Sequence, residues 1–283
     1  MTTILSIQSS VAYGHVGNSA ATFPLMRMGV EVWPVLTVHF SNHTGYGAWR
    51  GPLLAADDIA AVVQGIDERG VLGQVDAVLS GYQGGEAVGA EILKAVALVK
   101  QRNPEAIYCC DPVMGDVGRG MYVREGIPEF MRDHVVPSAQ VVTPNQFELD
   151  YLTGRQTHTL EEVLAAAHAL RANGPDVVLV TSAILDDVDS DVVTMLVVSG
   201  DGAWTVATPL IDRTFTGSGD ITAATFLAHY LRTGDPGLAL ARTASVVYSV
   251  LKATADADSA ELLLVGAQED IVHPSHEFEA TRL

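Results

Sequence analysis

The run Phe215-Thr216-Gly217-Ser218-Gly219-Asp220-Ile221-Thr222-Ala223-Ala224 is a glycine-rich turn opening into a helix of small residues. At such a helix start the backbone N–H groups from Gly217 to Asp220 point outward, where unpaired donors and the helix dipole favour an anion. A carboxylate set in that cradle, Asp220, can take the proton of a substrate hydroxyl while the amides stabilise charge on a transferring phosphoryl group. The same pattern also arises when an aspartate caps a helix and glycines make the turn. Taken alone, it favours that plainer role.

A second constellation is Cys110-Asp111-Pro112-Val113-Met114-Gly115-Asp116, a strand running into a loop with two carboxylates. Oxygen donors at a strand end suit a hard cation such as Mg²⁺, held directly or through water, although turn capping and solvated loop charge account for either residue singly. A third is Thr143-Pro144-Asn145-Gln146-Phe147-Glu148, again strand to helix. Glu148 falls in the first helical turn, where it either orients a water on a metal or simply complements the dipole. Near the amino end stand Gln8-Ser9, Gly14-His15-Val16-Gly17-Asn18 and Phe40-Ser41-Asn42-His43-Thr44-Gly45-Tyr46-Gly47. Hydroxyls, amides and rings in this mixture suit a small planar polar ligand. His15, His39 and His43 read more simply as hydrogen-bonding packers than as catalysts.

These residues must be positioned by elements that the hydrophobic pattern marks out. Ile4–Gln8, Val32–Val38, Ala77–Ser80, Ile107–Cys110, Val141–Thr143 and Val177–Thr181 are short apolar runs, rich in β-branched residues, that predict buried strands. Helical period fills Asn18–Met28, Asp57–Arg69, Glu86–Arg102 and Leu160–Ala172 between them, with Gly70, Asn103-Pro104 and Thr159 as stop and cap signals. The alternation predicts an α/β chain with a mainly parallel sheet, helices on both faces, and a ligand site beyond the carboxyl ends of the strands. Val192–Val198 and Ala203–Ala207, separated by Ser199-Gly200-Asp201-Gly202, predict an antiparallel hairpin at the sheet edge, followed by helices over Gly219–Arg232 and Pro236–Ala253. No internal repeat or Pro/Ser-rich linker divides the chain, so residues 1–283 are expected to form one domain.

Composition removes several functions. With 16 basic and 34 acidic residues the formal net charge is −18, which disfavours nucleic acid as a partner. The amino-terminal Met1–Ser6 lacks the basic and apolar stretches of a secretory signal, and no apolar run approaches a membrane span, so a cytoplasmic protein without a membrane partner is expected. Cys109 and Cys110 are adjacent, which suits neither a disulfide framework nor spaced zinc ligands, and they read as small buried hydrophobes. The only lysines are Lys94, Lys100 and Lys252, none of which follows a glycine at a strand-to-helix turn or sits on a loop. A P-loop and a Schiff-base enzyme are thereby disfavoured, and the absence of G-x-G-x-x-G after the first strand disfavours a dinucleotide-dependent dehydrogenase.

Taken in order, the motifs at Gly14–Asn18, Phe40–Tyr46, Asp111–Asp116, Thr143–Glu148 and Gly217–Asp220 resemble those of the pyridoxal kinases of the ribokinase superfamily. The resemblance runs from Ile4 to about Leu283. It implies a ribokinase-like fold and ATP-dependent phosphorylation of the 5′-hydroxymethyl group of pyridoxal in vitamin B6 salvage. Mg²⁺, a monovalent cation such as K⁺ and a homodimer are implied with it. Residue by residue, Asp220 matches the general base and Gly217, Ser218 and Gly219 the anion hole. Ser9, Thr44, Gly45 and Tyr82 match contacts to the pyridine ring, with Val16 and Phe40 as apolar walls. Asp111, Thr143, Glu148, Thr181 and Ser182 match the nucleotide and magnesium side, Asp111 and Glu148 being the implied metal residues. Asp116 and Tyr122 lie on the loop that covers ATP, and Thr208, Pro209, Leu210 and Ile211 match a segment beside the adenine.

Two departures stand out. Between Asp111 and Ile127 there is no cysteine, and Met121-Tyr122-Val123 occupies the loop tip, so no thiol there can capture the aldehyde. Thr181 stands where some bacterial relatives carry lysine, which leaves Mg²⁺ and the helix amides to neutralise the phosphates. A hydroxymethylpyrimidine kinase is the nearest alternative, and a non-catalytic vitamin- or nucleotide-binding module the alternative from another class. Retention of Asp220 with its glycine turn argues against the latter, since binding alone needs no base.

Overall fold

The structure is a computed structural model that describes residues 1–283. Its strands are β1 (Thr3–Val11), β2 (Glu31–Phe40), β3 (Ala77–Ser80), β4 (Ile107–Cys110), β5 (Gly115–Asp116), β6 (Gly120–Met121), β7 (Val141–Val142), β8 (Val177–Ala183), β9 (Val192–Ser199), β10 (Gly202–Pro209) and β11 (Thr281–Arg282). Nine of them form one sheet in the order β11-β10-β9-β8-β7-β4-β3-β1-β2, while β5 and β6 pair as a separate small hairpin. From β2 through β1, β3, β4 and β7 to β8 every pairing is parallel, and β9, β10 and β11 add antiparallel.

The helices are α1 (Asn18–Arg27), α2 (Ala56–Glu68), α3 (Glu86–Arg102), α4 (Ile127–Phe130), α5 (Gln146–Thr153), α6 (Leu160–Arg171), α7 (Ser218–Thr233) and α8 (Pro236–Asp256). Strand alternation divides them between two cores. Ile4, Cys109, Val177 and Leu179 face α1, α7 and α8, whereas Leu5, Ile7, Cys110, Val178 and Val180 face the layer of α2, α3, α5 and α6. The cores hold 36 and 30 buried residues, so both faces are covered. That is why the strands read as unbroken apolar runs rather than alternating ones.

One detail differs from expectation, and one stretch lies where no element is expected. The β9–β10 hairpin is not the outermost pair, because β11 continues the sheet, with Trp204 opposite Arg282 and Thr205 opposite Thr281. Residues 127–138 carry no simple helical period, since α4 gives way to a π-turn over Met131–Val135 and a 3₁₀ turn over Val136–Ser138. Pro137 has no N–H to offer a continuing helix there.

One irregularity bears on the site. β1 and β2 pair regularly as far as Gln8 opposite Leu36 and resume at Ser10 opposite His39, so Thr37 and Val38 together face Ser9. This is a bulge on β2. Where the strands part, Asn18 Nδ2 donates to the carbonyl oxygens of Ser6 (3.3 Å), Gln8 (3.2 Å) and Val35 (3.1 Å), fixing the start of α1 to both strands. The outer edge of β2 is met by the returning chain, with the His39 N–H on Pro52 O at 3.0 Å and the Ser41 N–H on Arg50 O at 2.7 Å. No helix is long and apolar enough to cross a membrane.

Candidate active site

Because β1, β2, β4, β7 and β8 run parallel, the residues that follow them gather along one edge of the sheet. Asp111 leaves the end of β4, is 5 % exposed, and accepts a hydrogen bond from Thr143 Oγ1, at the end of β7, at 3.1 Å. Glu148 is 3 % exposed in the first turn of α5. It completes a capping box, with Asn145 Oδ1 accepting from the Glu148 N–H and Glu148 Oε2 accepting from the Asn145 N–H, both at 2.9 Å. Its other oxygen, Oε1, accepts from the Met114 N–H at 2.9 Å and thereby ties α5 to the loop that carries Asp116. Glu148 thus sits at the third position of α5, where its charge complements the helix dipole as the plainer of its two readings has it.

Burial, then the charges of Glu148 and Asp220, push the Asp111 carboxyl well above its ordinary range. Burial also raises Glu148, against the pull of its backbone donors. Asp220, half-buried at the third position of α7, is pushed up to about 6 by burial, with the Gly17 amide drawing it back down. None of the three carboxylates has a lysine or arginine partner within 4.0 Å. The concentration of unpaired acid is the chief electrostatic fact of the site.

Gly217 precedes α7 with φ +90°, a conformation that L side chains rarely adopt, and a Cβ there would overlap the His15 carbonyl oxygen. The loop after β1 thus lies directly on the start of α7. Ser218 is the first helical residue, its hydroxyl donating to Phe215 O at 2.8 Å, and Gly219 is exposed, with Asp111 Oδ2 at 3.9 Å from where its Cβ would stand. The helix begins at Ser218 rather than Gly219.

On the side of the first two strands, Ser9 is buried, and a Cβ on Gly17 would overlap its backbone and hydroxyl oxygens. Val16 lies in the loop that carries Gly17, and Phe40 ends β2 with its ring 6.1 Å from that of Trp49. Thr44 and Gly45 sit on an exposed 3₁₀ turn over Thr44–Tyr46. Tyr82 follows β3, accepts a hydrogen bond from Thr37 Oγ1 on its carbonyl at 2.8 Å, and has its phenol raised by burial. On the other side, Asp116 and Arg119 belong to the β5–β6 hairpin, with the Arg119 N–H on Asp116 Oδ1 at 3.2 Å. Tyr122 follows the hairpin. Its side chain is half-exposed, and burial with the charges of Glu148, Asp111, Asp116 and Asp220 holds its phenol far above the usual range. The hairpin reaches across to the other side as well, placing Arg119 Nη1 4.0 Å from the Cβ position of Gly45.

Thr181 closes the β7–β8 gap through its N–H on Pro144 O at 3.0 Å, and Ser182 beside it is exposed. Thr208 and Pro209 end β10 and Leu210 and Ile211 follow, with the Leu210 N–H on Asp191 O at 2.6 Å. β10 runs in the same sense as β8, so this segment shares the edge with Thr181, but no hydrogen bond joins it to the carboxylates. Sequence reasoning missed Glu261, which hydrogen-bonds to both the β1 and β2 loops. Nothing in Ser259-Ala260-Glu261-Leu262 marks it, since its partners lie more than 200 positions away.

Residues 54–262 match the family described as phosphomethylpyrimidine kinase. The chain is 56 % identical to the pyridoxal kinase PdxY of Leifsonia xyli over 280 residues, covering 99 % of each. It is likewise 56 % identical to the pyridoxal kinase PdxY of Rubrobacter xylanophilus, covering 99 % of this chain and 97 % of that one. Among solved structures, the pyridoxal kinase of Leishmania donovani in complex with ADP and ginkgotoxin superposes with a TM-score of 0.94 at 30 % identity, covering all of both chains. Its complex with ADP and pyridoxine gives 0.92 at 30 % identity, covering 99 % of each chain. By sequence and by fold, then, this chain belongs to the pyridoxal kinases, ATP-dependent kinases of the B6 vitamers with a ribokinase-like architecture.

Proposed function

We propose that the edge built from Asp111, Glu148 and the start of α7 transfers the γ-phosphoryl group of ATP to the 5′-hydroxymethyl oxygen of pyridoxal, pyridoxine or pyridoxamine, with Asp220 as the base. The observation that carries this reading is Asp220 itself: a carboxylate pushed up to about 6, within the first turn of α7, whose leading N–H groups are free of side-chain caps. A base with that pKa is ionised at neutral pH yet more basic than an ordinary carboxylate. It takes the hydroxyl proton as the oxygen attacks, while the Gly217–Gly219 amides bear the charge on the group in transfer.

The donor set fits Mg²⁺, which takes one or two carboxylates and completes its shell with waters and phosphate oxygens. Asp111 and Glu148 are buried, oxygen-only and without a basic partner, so their charge calls for a cation. Asp111 would hold the ion directly or through water, with Glu148 on the same side. When bound, Mg²⁺ neutralises the nucleotide phosphates in place of the lysine that Thr181 does not supply. Ser9, Thr44, Gly45 and Tyr82, with Val16 and Phe40, form the vitamer side. Asp116, Tyr122, Thr143, Ser182 and the Thr208–Ile211 segment form the nucleotide side. The same reading takes the chain as one kinase domain, active as a homodimer in the cytoplasm.

ADP release measured with pyridoxal, pyridoxine, pyridoxamine and hydroxymethylpyrimidine tests the substrate assignment. Preference for the three pyridines is the expected result, and preference for the pyrimidine overturns it. Sedimentation of the purified protein tests the dimer.

A further inference from the structure

Glu261 lies in the segment after α8, and its side chain is only 10 % exposed. One oxygen, Oε2, accepts the His15 N–H at 3.0 Å, while Oε1 accepts the Tyr46 hydroxyl at 2.6 Å and lies 3.2 Å from His43 Nε2. His15 belongs to the loop after β1. His43 and Tyr46 flank Thr44 and Gly45 on the turn after β2. A single carboxylate therefore joins the two loops that contribute Val16, Thr44 and Gly45, half of the residues on the vitamer side.

The surroundings leave this arrangement little freedom. A Cβ on Gly14, whose φ is +91°, would overlap the Glu261 carboxylate, so the loop approaches it as closely as a backbone can. The His43 and Tyr46 rings lie 4.5 Å apart, and Tyr13 is 6.1 Å beyond Tyr46. The carboxylate itself is anchored from behind. Leu262 and Leu264 are 2 % and 1 % exposed in the core under α7 and α8, and the Leu263 N–H is bound to Thr254 Oγ1 at 2.9 Å. The peptide of His15 gives its N–H to Glu261 and presses its carbonyl oxygen against Gly217, which Leu262 also approaches. The chain of contact thus runs from the turn bearing Thr44, through Glu261 and His15, to the start of α7.

We infer that Glu261 is a positioning residue for the kinase reaction, holding the Val16–Gly17 loop and the Thr44–Gly45 turn against the Gly217–Gly219 cradle so that the vitamer meets a pocket already formed. This rests on the assignment of Val16, Thr44 and Gly45 to the vitamer side. Removing the carboxylate leaves the His15, His43 and Tyr46 donors without their acceptor, and each vitamer binding event must then order two loops. The residues assigned to the nucleotide side, at the ends of β4, β7, β8 and β10 and on the β5–β6 hairpin, make no hydrogen bond to the Glu261 carboxylate.

Steady-state kinetics on Glu261→Ala and Glu261→Gln, with Thr44→Ala measured beside them, tests the inference. Glu261→Ala is expected to raise the KM for pyridoxal on the order of tenfold and to leave the KM for ATP within about twofold, and Glu261→Gln, which keeps one acceptor oxygen, is expected to fall between it and wild type. Equal rises in both KM values, or a lower kcat with both unchanged, overturn the role. An unchanged pyridoxal KM in the Glu261 variants beside a raised one in Thr44→Ala also overturns it. If Thr44→Ala leaves pyridoxal unaffected, the vitamer-side assignment fails and the inference fails with it. Should Glu261→Ala not fold, the same comparisons on Glu261→Gln decide.

Discussion

The carbonyl oxygen of His15 occupies the space that a side chain on Gly217 would need. The loop after the first strand and the start of α7, separated by some two hundred residues, therefore meet backbone to backbone. The absence of a Cβ is what lets this loop lie against α7, where the Gly17 amide reaches Asp220.

Gly217→Ala is expected to displace this contact and to strain a residue at φ +90°. A cost of about 1–3 kcal/mol in stability follows from the backbone alone, and kcat should fall further because the amides move. Thermal unfolding together with turnover at saturating substrates separates the two effects. A variant with wild-type turnover would show that the amides do not carry charge in the reaction.

Asp220→Asn keeps the size of the side chain while removing the base. A fall in kcat on the order of 10²–10⁴-fold is expected, with ATP and pyridoxal still bound by calorimetry. Near wild-type turnover in a folded variant would leave Asp220 as an acceptor for the Gly17 amide and not the base, α7 having no side-chain cap at its start.

Asp111→Asn should raise the Mg²⁺ concentration needed for half-maximal rate and lower kcat, leaving pyridoxal affinity unchanged. Glu148→Gln is expected to do the same. It should also lose about 0.5–2 kcal/mol of stability, because Glu148 closes the capping box and holds the Met114 amide. Equal Mg²⁺ dependence in wild type and Asp111→Asn would remove Asp111 from the metal site.

Tyr82→Ala should weaken pyridoxal binding by roughly 0.5–1.5 kcal/mol beyond the area lost, if its ring packs on the vitamer, and leave ATP untouched. Equal losses for both ligands would make Tyr82 a structural residue.

His229 gives a pH dependence independent of the site. It is 8 % exposed on α7, neither ring nitrogen has a partner, and burial with the nearby Arg242 and Arg232 pushes it down to about 4. Between that value and the ordinary 6.5 the unfolded chain binds a proton that the folded one refuses. Stability should therefore fall as pH drops from about 6.5 to 4, by at most about 3 kcal/mol from this group, with no contribution above that window. Denaturant titrations of wild type and His229→Leu across the window check this, the variant being expected to lose that part of the slope.

What could be read from the sequence was what local pattern encodes. The parallel strands announced themselves because both faces are buried, giving runs such as Val177–Val180, and the cap at Thr159 and the turn at Gly217 are short-range chemistry. The two-residue strand β11 carries no pattern of its own and exists only because β10 offers an edge. The π-turn at Met131–Val135, between Pro128 and Pro137, likewise carries no periodic signal of its own. Within the site, Asp111, Glu148 and Asp220 each close a strand-to-helix or strand-to-loop turn and so could be found singly. Glu261 could not, because its significance comes from His15, His43 and Tyr46, which only the completed fold brings to it.

The bulge opposite Ser9 has a bearing on how this region can change over time. Because Thr37 and Val38 share one partner, every residue of β2 beyond them is offset by one pleat from where regular pairing would put it. Phe40 and the turn bearing Thr44 inherit that offset. Losing a single residue between Leu36 and His39 would leave one residue opposite Ser9 and straighten the strand, keeping Phe40 opposite Val11 but removing the bend that aims the turn bearing Thr44. Substitutions among these positions are mild by comparison, so the constraint here is on the number of residues more than on their kind, and insertions and deletions are what the stretch should tolerate least.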